Sequence, residues 1–141
     1  WRKELRPDSG GAGKQRGGLG QFMEVGAREG HEFDIQAMFD RVDHPANGRR
    51  GGGPGAPTTI VQDDGTKMNG KGKQFVAHGR RVVMAFPGGA GYGPVAERPK
   101  ASVMRDLARG YISVAVAKRD YALADADIAT VMDAIASGQD I

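Results

Sequence analysis

The chain has 141 residues, 20 lysines and arginines against 17 acids, a formal charge of +3 and no cysteine. That length supports one modest core, and the missing cysteine excludes thiolate chemistry, cysteine-held zinc and disulfide stapling within these residues, which fits a reducing, cytoplasmic setting. No run of 18 apolar residues is present to span a membrane as a helix, and the opening Trp1-Arg2-Lys3-Glu4-Leu5-Arg6 reads neither as a secretory leader nor as a natural start, so one piece of a longer polypeptide is expected.

Taken in chain order, Phe22, Met23 and Val25 form a short apolar strand, and Gly26 to Gly30 interrupt it. Phe33, Ile35, Ala37 and Phe39 then alternate with Asp34, Gln36 and Met38 at period two, which buries one face of a second strand. Residues 41 to 57, with Pro45, Pro54 and Pro57 around three consecutive glycines, read as loop. Thr58-Thr59-Ile60-Val61 is strand-like, Asp63-Asp64-Gly65 reads as a hairpin turn, and Asn69-Gly70 repeats that signal. Gln74 to Ala77 and Arg80 to Phe86 read as strands around a His78-Gly79 turn.

After Gly93 the period changes to about 3.6. Pro99 suits a first helical position, Val103, Met104 and Leu107 share a face, and Gly110 stops that helix. Ser113 caps a second helix running to Tyr121. A third is expected to start on Asp127 as its cap, presenting Ile128, Val131, Met132 and Ile135 before Gly138. Strands first and helices last give an α+β fold: a β-rich glycine-loop region over 1–98 and a helical segment over 99–141 packed on it.

The 23 glycines fall largely into three clusters: Gly10 to Gly20, Gly51 to Gly55 and Gly88 to Gly93. Two readings of the third cluster stand. Its amides form an anion nest, or its backbone packs closely on other backbone. As a nucleotide loop it is weak, because no lysine and hydroxyl follow in the P-loop arrangement. Tyr92 inside it closes over a cavity or sits at a rim. Asp8, Ser9 and Arg16 gather carboxylate, hydroxyl and guanidinium within nine residues, but capping and turn hydrogen bonds account for Asp8 and Ser9. Arg16 either holds a ligand carboxylate or ties its own loop to a nearby acid.

Between Arg41 and Arg81 eight basic residues face three acids, whereas Asp120 to Ile141 carries five aspartates and no base. This asymmetry suits a solvated or inter-subunit surface or a small-anion site. Without interleaved aromatics or a reading module, nucleic acid is not expected. Of His31, His44 and His78, only His44 has a neighbouring carboxylate of interest, Asp43, and a single pair falls short of the three ligands of a catalytic zinc. The candidate catalytic groups are therefore Asp43 and His44. The candidate substrate-binding wall comprises Arg16, Arg41, Gly89, Gly91 and Tyr92, with no metal ligands.

Five segments in fixed order carry a family resemblance: Arg6-Pro7-Asp8-Ser9-Gly10-Gly11-Ala12-Gly13 with Arg16-Gly17-Gly18-Leu19-Gly20; Phe39-Asp40-Arg41 with His44-Pro45; Gly51-Gly52-Gly53-Pro54-Gly55-Ala56; Pro87-Gly88-Gly89-Ala90-Gly91-Tyr92-Gly93; and Val103-Met104-Arg105-Asp106-Leu107 through Tyr111 to Tyr121. The chain resembles the C-terminal portion of the hydantoinase B/oxoprolinase family up to about residue 123, and the helix expected after Asp127 reads as a tail or interface element beyond it. The resemblance implies a B-type subunit several times longer, working with a hydantoinase A-type ATPase that binds ATP and Mg. Any divalent metal would lie outside this portion. Such systems open cyclic amide rings of hydantoin, N-methylhydantoin or 5-oxoproline, and related members carboxylate ketones. On this basis residues 1–141 alone are expected to be inactive. A non-catalytic binding or assembly module is the competing expectation.

Overall fold

In the computed structural model, which describes residues 2–139, six strands precede the helices: β1 (Arg2–Arg6), β2 (Gly20–Gly26), β3 (Phe33–Met38), β4 (Thr59–Gln62), β5 (Lys71–Val76) and β6 (Arg81–Ala85). β1, β2, β6 and β4 form one antiparallel sheet in that order, and β3 pairs with β5 in a second. Alternation along β3 turns Phe33, Ile35 and Ala37 inward and leaves Asp34, Gln36 and Met38 outside. The two sheets bury Ile60, Val76, Val82 and Met84 with Met23, Val25, Phe33, Ile35 and Phe86 around them. Each such aliphatic side chain contributes about 1.5–3 kcal/mol.

β1 has no counterpart among the strands expected from periodicity. Its Arg-Lys-Glu-Leu-Arg sequence has no apolar alternation because it lies at an exposed sheet edge, where charge protects the open ladder from stray pairing. Arg6 anchors its end, donating to the Pro57, Ala85 and Phe86 carbonyls at 2.7, 3.3 and 3.0 Å. The Asp-Gly turn forms, with Gly65 at φ +85° and its amide on the Gln62 carbonyl. The strands on either side nevertheless part after one bridge, Val61 to Lys67, since β4 joins β6 and β5 joins β3.

The glycine clusters run together as a backbone weave. Gly11 N donates to Gly89 O, Gly53 N to Ala12 O, Gly91 N to Gly53 O and Gly89 N to Gly18 O, all between 2.7 and 2.9 Å. A Cβ on Gly11, Gly17, Gly52, Gly88 or Gly91 would fall less than 3 Å from a neighbouring carbonyl, so the three segments approach as only bare backbone can.

Three helices follow: α1 (Lys100–Ala108), α2 (Val114–Tyr121) and α3 (Asp125–Ser137). Ser113 caps α2 by accepting from Val116 N at 3.2 Å. Pro99 stands one residue before α1 rather than inside its first turn. Helix α3 starts two residues earlier than the expected cap: Ala124 occupies the cap position, and Asp127 instead receives Lys100 Nζ at 3.0 Å. The helices bury their own cluster of Val103, Leu107, Ile112, Val116, Ala117, Leu123, Ile128 and Val131, separate from that of the sheets. The weave links the two apolar cores through polar contacts: Asp8 N to Tyr111 O at 3.0 Å, Ser113 N to Asp8 Oδ1 at 2.7 Å and Lys14 Nζ to Glu97 at 2.9 Å.

Candidate functional site

The third glycine cluster has no free amide row for an anion. Gly88 N donates to Ala56 O, Gly89 N to Gly18 O, Gly91 N to Gly53 O, Tyr92 N to Gln15 O and Gly93 N to Arg49 O. Those five donors already hold carbonyls, so a phosphate nest is not available to them. Gly89 and Gly91 lie within the weave rather than on an open loop. Tyr92 differs: its backbone is fixed by Gln15 and Arg49, while its ring is 47% exposed with the Arg50 guanidinium 5.9 Å from the centroid.

Arg16 points away from this surface. Its Nε lies 3.1 Å from Asp106 Oδ2 and its Nη1 donates to Gly17 O at 2.7 Å, while Arg98 Nη2 reaches the same Asp106 oxygen at 2.5 Å. All three side chains are almost fully buried. The two guanidiniums stack on Tyr111 and Tyr121, and burial pushes the Tyr121 phenol above its usual range despite the opposing pull of Arg98. This group clamps the weave to α1 and α2. Its signal in the sequence was an acid, Asp106, three residues after Val103 on the apolar face of α1.

Ser9 is also interior: its Oγ donates to Arg6 O at 2.6 Å and accepts from Gly20 N at 2.8 Å, which fixes the turn between β1 and β2. Of the imidazoles, His78 accepts through Nε2 from Gly30 N at 2.9 Å, beside His31, while His44 lies in the segment after β3. Among the described residues no group of three or more histidines, cysteines and acids could hold a metal ion.

Two open cavities of similar size remain: one of about 440 Å³ between Arg28 and Arg81, which holds none of the candidate residues, and one of about 460 Å³ lined by Phe39, Asp40, Arg41, Val42, Asp43 and His44 on one side and Asn69, Gly70 and Lys71 on the other. β3 delivers the first segment and the turn into β5 the second. Phe39 N donates to Gly70 O at 2.8 Å, and Gly70 lies so close to Val42 that a Cβ there would collide with it. Asp40 is held by Lys71 Nζ at 2.8 Å, which keeps its carboxyl below the usual range. Arg41, Asp43 and His44 line this mouth together with exposed side chains, whereas Arg16, Gly89, Gly91 and Tyr92 lie outside its lining. Sequence reading passed over Asn69, Lys71 and the buried Thr58 beneath the mouth, because a turn, a surface lysine and a β-branched strand residue carry no distinctive pattern.

The hydantoinase B/oxoprolinase family model matches residues 1–95. The chain belongs to that family. It is 36% identical over 120 residues to an uncharacterized protein of Methanocaldococcus jannaschii, spanning 83% of this chain and 21% of that one. It is 28% identical over 132 residues to caprolactamase subunit beta of Pseudomonas jessenii, spanning 85% of this chain and 22% of the relative. Among solved structures, ATP-dependent caprolactamase from Pseudomonas jessenii matches with a TM-score of 0.73 at 27% identity, over 96% of this chain and 25% of that one. Acetone carboxylase in its nucleotide-free form shares the fold, with a TM-score of 0.67 at 17% identity over 96% of this chain and 24% of its own. The chain thus spans about a fifth to a quarter of the relatives it matches. The 4% left uncovered by either structure is about six residues, fewer than half of the 13 in α3. Most of α3 therefore falls within the length compared with those two structures, beyond the residues that the family model matches.

Proposed function

We propose that residues 1–141 form the C-terminal part of a B-type subunit that opens a cyclic amide in concert with an ATPase subunit. The observation that carries this reading is the likeness to a caprolactamase beta subunit across nearly the whole chain, in sequence and in fold. The weave with its Arg16–Asp106–Arg98 clamp acts as the rigid frame, and the mouth at Arg41, Asp43 and His44 faces the substrate chamber that the remainder of the subunit completes. Five of the six amides from Gly88 to Gly93 already hold carbonyls, which argues against a phosphate nest in that loop; we assign ATP and Mg to the partner, and no step here passes through them.

At the mouth we assign Asp43 or His44 to take a proton from an attacking water, and Arg41 to hold the negative charge that develops on the carbonyl oxygen; their shared cavity supports this assignment. Opening any of these rings creates a new carboxylate, and opening a simple lactam such as caprolactam also frees an amine, so the site must accommodate charge that the ring lacks.

The test is to assemble the full-length subunit with its ATPase and follow ATP-dependent hydrolysis of caprolactam, hydantoin and 5-oxoproline. One ring should open, and His44→Ala and Arg41→Ala should each lower kcat/KM by about tenfold or more without a matching loss of thermal stability. Bicarbonate-dependent consumption of ATP with a ketone, and no ring opening, would replace this reading with a ketone carboxylase.

A further inference from the structure

Arg41 has φ +59°, a left-handed conformation that side-chain-bearing residues seldom adopt and that glycine would occupy at no steric cost. Thr58, buried to 2% exposure, holds it there with two hydrogen bonds: its Oγ1 donates to Asp40 O at 2.7 Å and its amide to Arg41 O at 2.8 Å. Asp8, Arg50 and Ala122 share this conformation, but Arg41 alone of the four both lines the mouth and is held by the buried Thr58, which points to use of its side chain.

The charges of the mouth narrow what it receives. Asp40 and Lys71 pair with one another. Among the described residues neither Arg41 nor Asp43 makes a salt bridge, Arg41 acting on Asp40 only as a weaker attraction beside Lys71, which leaves one guanidinium and one carboxylate facing the same cavity. A lone anion would meet Arg41 favourably and Asp43 unfavourably. A molecule bearing a carboxylate and an ammonium satisfies both.

We propose that this mouth is a subsite for the ring-opened product, an ω-amino carboxylate, with Arg41 receiving the carboxylate, Asp43 the ammonium, and Thr58 acting as the positioning residue that aims Arg41. The assignment rests on the cyclic-amide reading above in its lactam form, since opening a simple lactam gives an ω-amino carboxylate whereas opening a hydantoin leaves a ureido nitrogen and no ammonium, but its test requires no turnover. Asn69 and Gly70 line the far wall.

The experiment titrates the full-length subunit with 6-aminohexanoate, hexanoate and hexylamine by calorimetry. The wild type should bind 6-aminohexanoate at least about tenfold more tightly than either singly charged analogue. Arg41→Gln should abolish that advantage and weaken hexanoate as well, whereas Asp43→Asn should bring 6-aminohexanoate down to the level of hexanoate. Thr58→Val should weaken 6-aminohexanoate about tenfold while Thr58→Ser restores it. Arg41→Gly serves where Thr58→Val folds poorly: it should raise the melting temperature and still lose the carboxylate ligands. The proposal is overturned if 6-aminohexanoate binds no better than hexanoate, or if Arg41→Gly binds it as the wild type does. The expected binding pattern in a protein that opens no lactam would sink the activity reading and leave the subsite standing; ring opening with binding indifferent to Arg41 and Asp43 would do the reverse.

Discussion

The weave and the mouth are built from neighbouring stretches of one chain, yet their polar groups are treated in opposite ways. In the weave, amides of Gly11, Gly53, Gly89 and Gly91 meet carbonyls and Asp106 is shared between two buried arginines. In the mouth, Arg41 and Asp43 stand exposed without a salt bridge among the described residues, and the backbone at Arg41 is strained. Groups already satisfied inside the protein stabilise it and have nothing left for a ligand. The groups of the mouth that still have bonds to give therefore lie on the less glycine-rich side, although the glycines are what first draws attention in the sequence.

The sharpest way to break this contrast is Gly88→Ala, which thrusts a methyl into the Ser9 carbonyl. Its loss of stability in urea unfolding should exceed about 4 kcal/mol, whereas Gly18→Ala, with open space around it, should stay within about 0.5 kcal/mol. Equal effects would mean that the weave is not the frame. Next in size, Asp106→Asn leaves Arg16 and Arg98 buried side by side without their counter-charge and should cost about 3 kcal/mol. Ser9→Ala removes a donor to Arg6 O and an acceptor for Gly20 N, for a loss of about 2 kcal/mol.

On the other side of the comparison, Arg41→Gly relieves a left-handed residue and should gain about 1 kcal/mol while activity falls. A mutation that stabilises and disables is the behaviour expected of a functional mouth and not of a frame. The smallest effect is alkaline. The Tyr121 phenol is raised above its ordinary value of 10.0, chiefly by burial, so the unfolded chain ionises first. Its contribution to stability is complete below about pH 10 and declines as pH climbs through the folded value, and Tyr121→Phe should flatten that decline in melting curves taken between pH 9 and pH 12.

How far the sequence could be read depended on whether an element declares itself by periodicity. β3 and α2 did: alternation from Phe33 to Phe39 and the Ser113 cap are local signals that the structure retains. β1 did not, because an exposed charged edge needs no apolar period, and neither did the start of α3, where Lys100 draws Asp127 away from the capping role. Of the candidate site residues, Arg41, Asp43 and His44 share one cavity because they are near one another in the chain. Arg16 and Gly89 resemble binding groups by type alone, and it is distant partners, Asp106 and Gly18, that engage them.

By itself the sequence determined the order of strands before helices, the family resemblance in its glycine segments and the chemical types available to a site, since each is written in local pattern or composition. Only the tertiary structure decided which polar groups are already satisfied. That depends on contacts such as Arg16 with Asp106 and Thr58 with Asp40, which lie 90 and 18 residues apart along the chain. No local pattern encodes such pairs, because a hydrogen bond is a property of where two groups meet in space and not of either residue alone.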